Sequence, residues 1–243
     1  MRDRCVLYTL LRMTYASAPI RMSWPAAALG VIVAGFLVYS VPPYLTGDPA
    51  ESRVPATFGL HYPLLVGHVA LATVAMVAAV AQIWPGLRRR RPALHRRVGR
   101  LYVFTAIPAA LCAMVIGAAT PFGPILAVGN VVLAALWLWF TVNGYLAAKA
   151  RRFVDHRRHM VRSATLALSI ITNRMWTPIL FIGLRPLQHS VFGGDAEHYL
   201  WVVAGVGALL GWSLPLLAVQ WWLGRGAKLP ASSISRPPDA FRV

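Results

Sequence analysis

Residues 67–103, GHVALATVAMVAAVAQIWPGLRRRRPALHRRVGRLYV, decide the fold. An apolar run fills the first half, seven arginines crowd positions 88 to 100, and the apolar pattern then resumes. Crossing a bilayer takes roughly 20 apolar residues in a helix. Two such runs joined by a guanidinium-rich connection read as two membrane helices whose shared loop is held on the cytoplasmic side.

The pattern continues along the chain. Apolar windows near 23–45, 62–86, 97–120, 124–148, 159–184 and 198–223 predict an all-α polytopic membrane protein, a bundle of six transmembrane helices. A second basic connection, with Lys149, Arg151, Arg152, Arg157, Arg158 and Arg162, falls on the same side as the first, and the opposite side carries only Arg53 and Arg185. That asymmetry predicts both termini inside. Asp48, Glu51, Asp195 and Glu197 fall in the external connections. The expected organisation is an N-terminal cytoplasmic arm over 1–22, a transmembrane domain over 23–224 and a disordered cytoplasmic tail over 225–243.

Composition agrees with this layout. The chain has 243 residues, 58% of them hydrophobic and only 13% charged, and a mean hydropathy of +0.59. Soluble domains carry about 25% charged residues. The formal net charge of +17 would suit a nucleic-acid binder, but these charges sit between apolar runs, so the expected partner is membrane lipid, with anionic headgroups at the cytoplasmic face, and no nucleic acid. Two cysteines, Cys5 and Cys112, supply no disulfide framework or thiolate metal site. No G-x-G-x-x-G or P-loop stretch occurs. Pro124, after TPFG, predicts a tight external turn with antiparallel helices on either side. The GVGALLG stretch at 205–211 predicts close helix packing.

Ionisable groups inside an apolar run cost about 2.5–3.5 kcal/mol on insertion scales and mark either function or a polar interior. His68 falls about 9 Å, and Arg174 about 15 Å, from the external ends of their spans. With Asn130 and Asn173 they form an expected outer polar cluster, a place for a quinone, a proton path or a plain interhelical hydrogen bond. Arg174 has no acid at its depth, so carbonyls, Asn173, water or an anionic ligand must meet its charge. Toward the cytoplasm lie Gln82, His95, Arg100, Asn143, His156, His159 and Arg162. Pro92 as a first helical residue and Asp155 as an N-cap would begin two spans a turn early and bring His95 and His156 inside helices at matched depth.

Two imidazoles on different helices at one level are what axial ligation of a haem b iron requires, and Arg100 and Arg162 would then hold the propionates. His159 is the alternative ligand on the same helix as His156. The competing reading is an interfacial histidine bonded to a headgroup or loop carbonyl.

Residues 67–103, followed by DHRRHMVRSATLALSIITNRMW at 155–176, resemble the bacterial multi-pass membrane proteins of domain of unknown function 2306. The resemblance covers roughly 60–185 and falls on His68, Gln82, Pro92, His95, Arg96, Gly99, Arg100, Tyr102, His156, Arg157, Met160, Arg162, Ser163 and Arg174. His159 departs from it, standing where the family pattern has Trp. The resemblance implies a bacterial cytoplasmic (inner) membrane location and no settled activity. Its layout is similar to cytochrome b561-like and ferric-reductase-like bundles. Three functions stay open: haem b- or quinone-linked electron transfer, a non-enzymatic scaffold or accessory subunit whose polar clusters bind lipid or lock helices, and a small-molecule transporter.

Overall fold

A computed structural model describes residues 24–225. The arm read over 1–22 and the tail beyond 225 lie outside the described residues. Within them the chain is helical, with no strand. In chain order the helices are α1 (Trp24–Ser40), α2 (His61–Ile83), the short α3 (Pro85–Arg90), α4 (Pro92–Ala118), α5 (Pro124–Lys149), α6 (Phe153–Gly183), the single turn α7 (Leu187–Ser190) and α8 (Ala196–Arg225). Five of these, α2, α4, α5, α6 and α8, are long and apolar enough to cross a membrane.

The first window is shorter than its hydropathy suggests. Pro42 and Pro43 follow Ser40 and turn the chain into a 3-10 segment, Pro42–Tyr44, because proline supplies no backbone N–H and clashes with the preceding turn. Among the described residues α1 thus ends at Ser40 and covers 17 residues, about 25 Å of rise.

The spans do start early at the two histidine-bearing entrances. Pro92 is the first residue of α4, where its missing N–H has no intrahelical partner to lose. α6 begins at Phe153, with Arg152 as the flanking residue. Asp155 is thus a first-turn residue rather than the N-cap expected of it; it pairs with Arg152 at 3.5 Å and still lies at the positive end of the helix dipole.

α2 packs on α4, α4 on α5, α5 on α6 and α8, and α6 on α8, while α1 packs chiefly on α2. Successive long helices run antiparallel, so the arginine-rich connections Arg88–Arg97 and Lys149–Arg152 emerge at one end of the bundle, called here the arginine end. The far end holds residues 41–60, 119–123 and 184–195.

Between lipid-facing helices association comes from close packing rather than from expulsion of water, which favours small residues at crossings. The core accordingly carries Ala75, Ala78, Ala79, Ala106, Ala109 and Ala110. The glycines of 205–211 let α8 approach its neighbours: a Cβ at Gly211 would stand 2.7 Å from the Asn173 Cα, and one at Gly205 would stand 2.6 Å from Ile125. In the turn before Pro124, Gly123 has φ 88°, and a Cβ there would meet the Trp201 ring at 2.5 Å. Position and conformation both demand glycine.

Candidate functional site

Two polar systems lie one above the other inside the bundle. The deeper one joins α4, α5 and α6. The Trp137 indole N–H donates to the Tyr102 hydroxyl at 3.1 Å, Tyr102 and Ser163 share a bond of 2.6 Å, Thr141 and Ser163 share one of 2.7 Å, and Thr141 bonds the Trp137 carbonyl at 2.7 Å.

The proton directions follow from the last bond, since a carbonyl only accepts. Thr141 spends its hydrogen there, so Ser163 must donate to Thr141 and Tyr102 must donate to Ser163. The circuit closes on itself: indole to phenol to serine to threonine to the carbonyl of the same tryptophan. Tyr102, Ser163 and Thr141 are at most 1% exposed. Every hydroxyl hydrogen in the ring has an acceptor, so the ring locks three helices and has no proton to spare.

Toward the far end, Trp137 also lines a cavity of about 330 Å³, within the usual range for a small-molecule site. Its walls come from α1, α2, α4, α5, α6 and the 41–54 and 119–123 connections. Most of the lining is apolar. The polar lining groups are Ser40, Tyr44, Arg53, His61, His68, Thr73, Thr120, Asn130, Ser169, Asn173 and Arg174 along with Trp137. The structure thus brings His68, Asn130, Asn173 and Arg174 to one cavity.

His61 was not singled out from the sequence, yet its side chain is fully buried. Its Nδ1 lies 3.1 Å from the Thr57 backbone nitrogen and 2.7 Å from the Thr57 hydroxyl, which is also 2.8 Å from the Ala119 carbonyl; a backbone N–H can only donate, so Nδ1 is read as the acceptor and the ring hydrogen of the neutral imidazole is on Nε2. That Nε2–H has no hydrogen-bond partner, nor does the Ser40 hydroxyl. His68 is the opposite tautomer. Its Nδ1 lies 2.8 Å from the Ala109 carbonyl and must donate to it, leaving an Nε2 lone pair. His61 and His68, seven residues apart on α2 and about 10.5 Å along its axis, thus carry an unused donor and an unused acceptor. Arg174, also on the wall, is exposed and has no hydrogen bond or ion pair among the described residues.

The histidines at the arginine end form a third group. His95 and His156 each precede a member of the Tyr102–Ser163 bond by seven residues, so both lie about 10.5 Å below it on related faces. His156 Nδ1 donates to the Gly144 carbonyl at 2.8 Å, which leaves its Nε2 with a lone pair. His95 Nδ1 and His159 Nδ1 are buried atoms with no partner. His159 lies by Phe140, centroids 6.0 Å apart, on the helix whose Met160 sulfur would stand 2.6 Å from a Cβ at Gly144.

Gln82 donates to the His95 carbonyl at 2.8 Å and packs against Gly99, so it serves the α2–α4 contact. Arg162 directs Nε and Nη2 to Gln220 Oε1 at 2.9 and 2.7 Å and lies 5.6 Å from the Phe140 ring centroid. Arg100 is exposed. No group of three or more His, Cys, Asp or Glu capable of holding a metal ion occurs among the described residues.

Residues 65–214 match the family described as "Predicted membrane protein (DUF2306)". The chain belongs to this family. No curated protein and no solved structure matches it. The family match covers His68, the Tyr102 circuit, the histidines of the arginine end and Arg174, whereas His61, Ser40 and Arg53 precede it. The cavity thus combines walls from the family domain with walls that lie before it.

Proposed function

We propose that this member of the DUF2306 family is a six-crossing protein of the bacterial inner membrane, and that it holds one small amphipathic molecule in the cavity at its far end. The arginine-rich connections at a single end support termini on the cytoplasmic side. α1, whose described part rises about 25 Å, supplies the sixth crossing. Its organisation would be a cytoplasmic arm over 1–22, the bundle over 23–224 and a tail over 225–243.

The observation that carries the ligand reading is the buried, unpartnered Nε2–H of His61, a residue that lines an apolar-sided cavity. In a membrane interior a polar hydrogen without an acceptor costs free energy that a ligand oxygen restores. Native mass spectrometry of the purified protein tests it. One small amphipath per chain, lost in His61→Asn, is the expected result; Asn keeps an acceptor for Thr57 and removes the Nε2 donor. A bare wild-type mass under conditions that retain annular lipid would overturn the reading.

Quinone-linked electron transfer is the redox form of this proposal. A quinone oxygen would accept from His61, and the quinol, formed with two electrons from an external redox donor and two protons from water, would present a hydroxyl to the His68 lone pair. A haem b between His95 and His156 is the second reading, supported by their matched level and by the His156 Nδ1–H anchored on Gly144, the usual outer partner of a ligating imidazole. His159 would be the alternative ligand. Of the two arginines assigned to the propionates, Arg162 is already engaged by Gln220 and Arg100 is open. A reduced-minus-oxidised spectrum of protein from haem-supplied cells decides this reading: a b-type band supports it and a flat difference ends it.

A further inference from the structure

Resting on the ligand reading of the cavity, we infer that its occupant carries an acidic head, a carboxylate or a phosphate, on an apolar body. Arg53 and Arg174 both line the cavity, and among the described residues no Asp or Glu does. The acids of the far end are not paired with them. Asp48 accepts from the Ala50 N–H at 2.8 Å, and Asp195 pairs with His198.

Arg53 is held in place from its back. Its Nη2 donates to the Tyr39 carbonyl at 2.7 Å and its guanidinium lies 4.0 Å from the centroid of the Tyr39 ring. One of five N–H groups is used there, leaving the rest of the fork. Arg174 enters from α6, nine residues or about 13.5 Å before the end of the helix, and has no partner among the described residues. The His61 Nε2–H and the Ser40 hydroxyl add two donors without acceptors.

Such a surplus of donors and positive charge suits a head that only accepts, and an anionic head most of all, since charge-assisted bonds are roughly twice as strong as neutral ones. Leu65, Met76, Ile116, Leu133 and Leu166 supply an apolar wall for the remainder of the molecule. A neutral quinone would leave the two guanidiniums unused.

The test uses the full chain in phosphatidylcholine nanodiscs, with dansylaminoundecanoic acid as a fluorescent probe and decanoate, decyl phosphate, decanol and decylubiquinone as competitors. Decanoate or decyl phosphate should displace the probe at concentrations at least about tenfold below those of decanol and decylubiquinone. The stronger of the two acids identifies the head. The double variant R53Q/R174Q should erase the preference, and R53K/R174K, which keeps the charge, should retain much of it.

Equal displacement by decanol overturns the acidic head and leaves the cavity a ligand site, as does a double glutamine variant that folds and discriminates like the wild type. Preferential displacement by decylubiquinone overturns it in favour of the redox form. Absence of any saturable probe signal from wild-type protein overturns both this inference and the ligand reading beneath it.

Discussion

The Tyr102 circuit and the cavity above it are built from the same kinds of group, hydroxyls, ring nitrogens and an indole, at adjoining depths in one bundle. They differ in whether the protein completes its own hydrogen bonds. In the circuit each donor meets an acceptor. Among the described residues that line the cavity, the His61 imidazole N–H and the Ser40 hydroxyl have none. Polarity within a membrane span is therefore not by itself a mark of function. A closed circuit fastens helices, and an open set points to something outside the chain.

Breaking the circuit should give the largest effect on stability. Ser163→Ala leaves the Tyr102 hydrogen without an acceptor and Thr141 without a donor, at a cost of about 1–2 kcal/mol, measured by SDS or thermal unfolding. Probe affinity should not change. A loss of affinity equal to the loss of stability would dissolve the distinction between the two regions.

Trp137→Phe probes their shared boundary. It removes one donor to Tyr102 and trims the cavity floor, so a smaller loss of about 0.5–1.5 kcal/mol should come with a measurable change in probe affinity. His68→Asn sharpens the contrast within the cavity. Asn still donates to the Ala109 carbonyl, so the melting temperature should hold while ligand that needs the Nε2 lone pair binds more weakly.

Asp195 gives the smallest effect, at a site belonging to neither region. Its hydrogen bond to His198 holds its carboxyl below the usual carboxylate range. A depressed carboxyl pKa stabilises the fold above the unfolded value, near pH 4, and this contribution drains away as pH falls through the folded value. Melting temperatures of wild type and Asp195→Asn should therefore converge under acid and differ slightly at neutral pH.

Hydropathy made the helices legible because a long apolar run admits few alternatives, and Pro92 marked its own helix start. The overrun of the first window came from counting Val41 and Tyr44 as apolar while the intervening prolines were ending the helix. His68 and Arg174 stood out as ionisable groups in apolar surroundings. His61 sat at the edge of its window and passed for a boundary residue, although its spacing of seven from His68 was a usable signal. Tyr102 and Ser163 fell on the family resemblance, but the circuit they form with Trp137 and Thr141 could not be read in advance, because it depends on the register of three helices.

The most direct measurement places His61→Asn beside Ser163→Ala and records thermal stability and ligand occupancy for each. The account predicts that the α2 variant keeps its melting temperature and loses its ligand, while the α6 variant loses stability and keeps it. If His61→Asn retains the ligand and unfolds as early as Ser163→Ala, the imidazole is one more structural fastening and the cavity reading is contradicted.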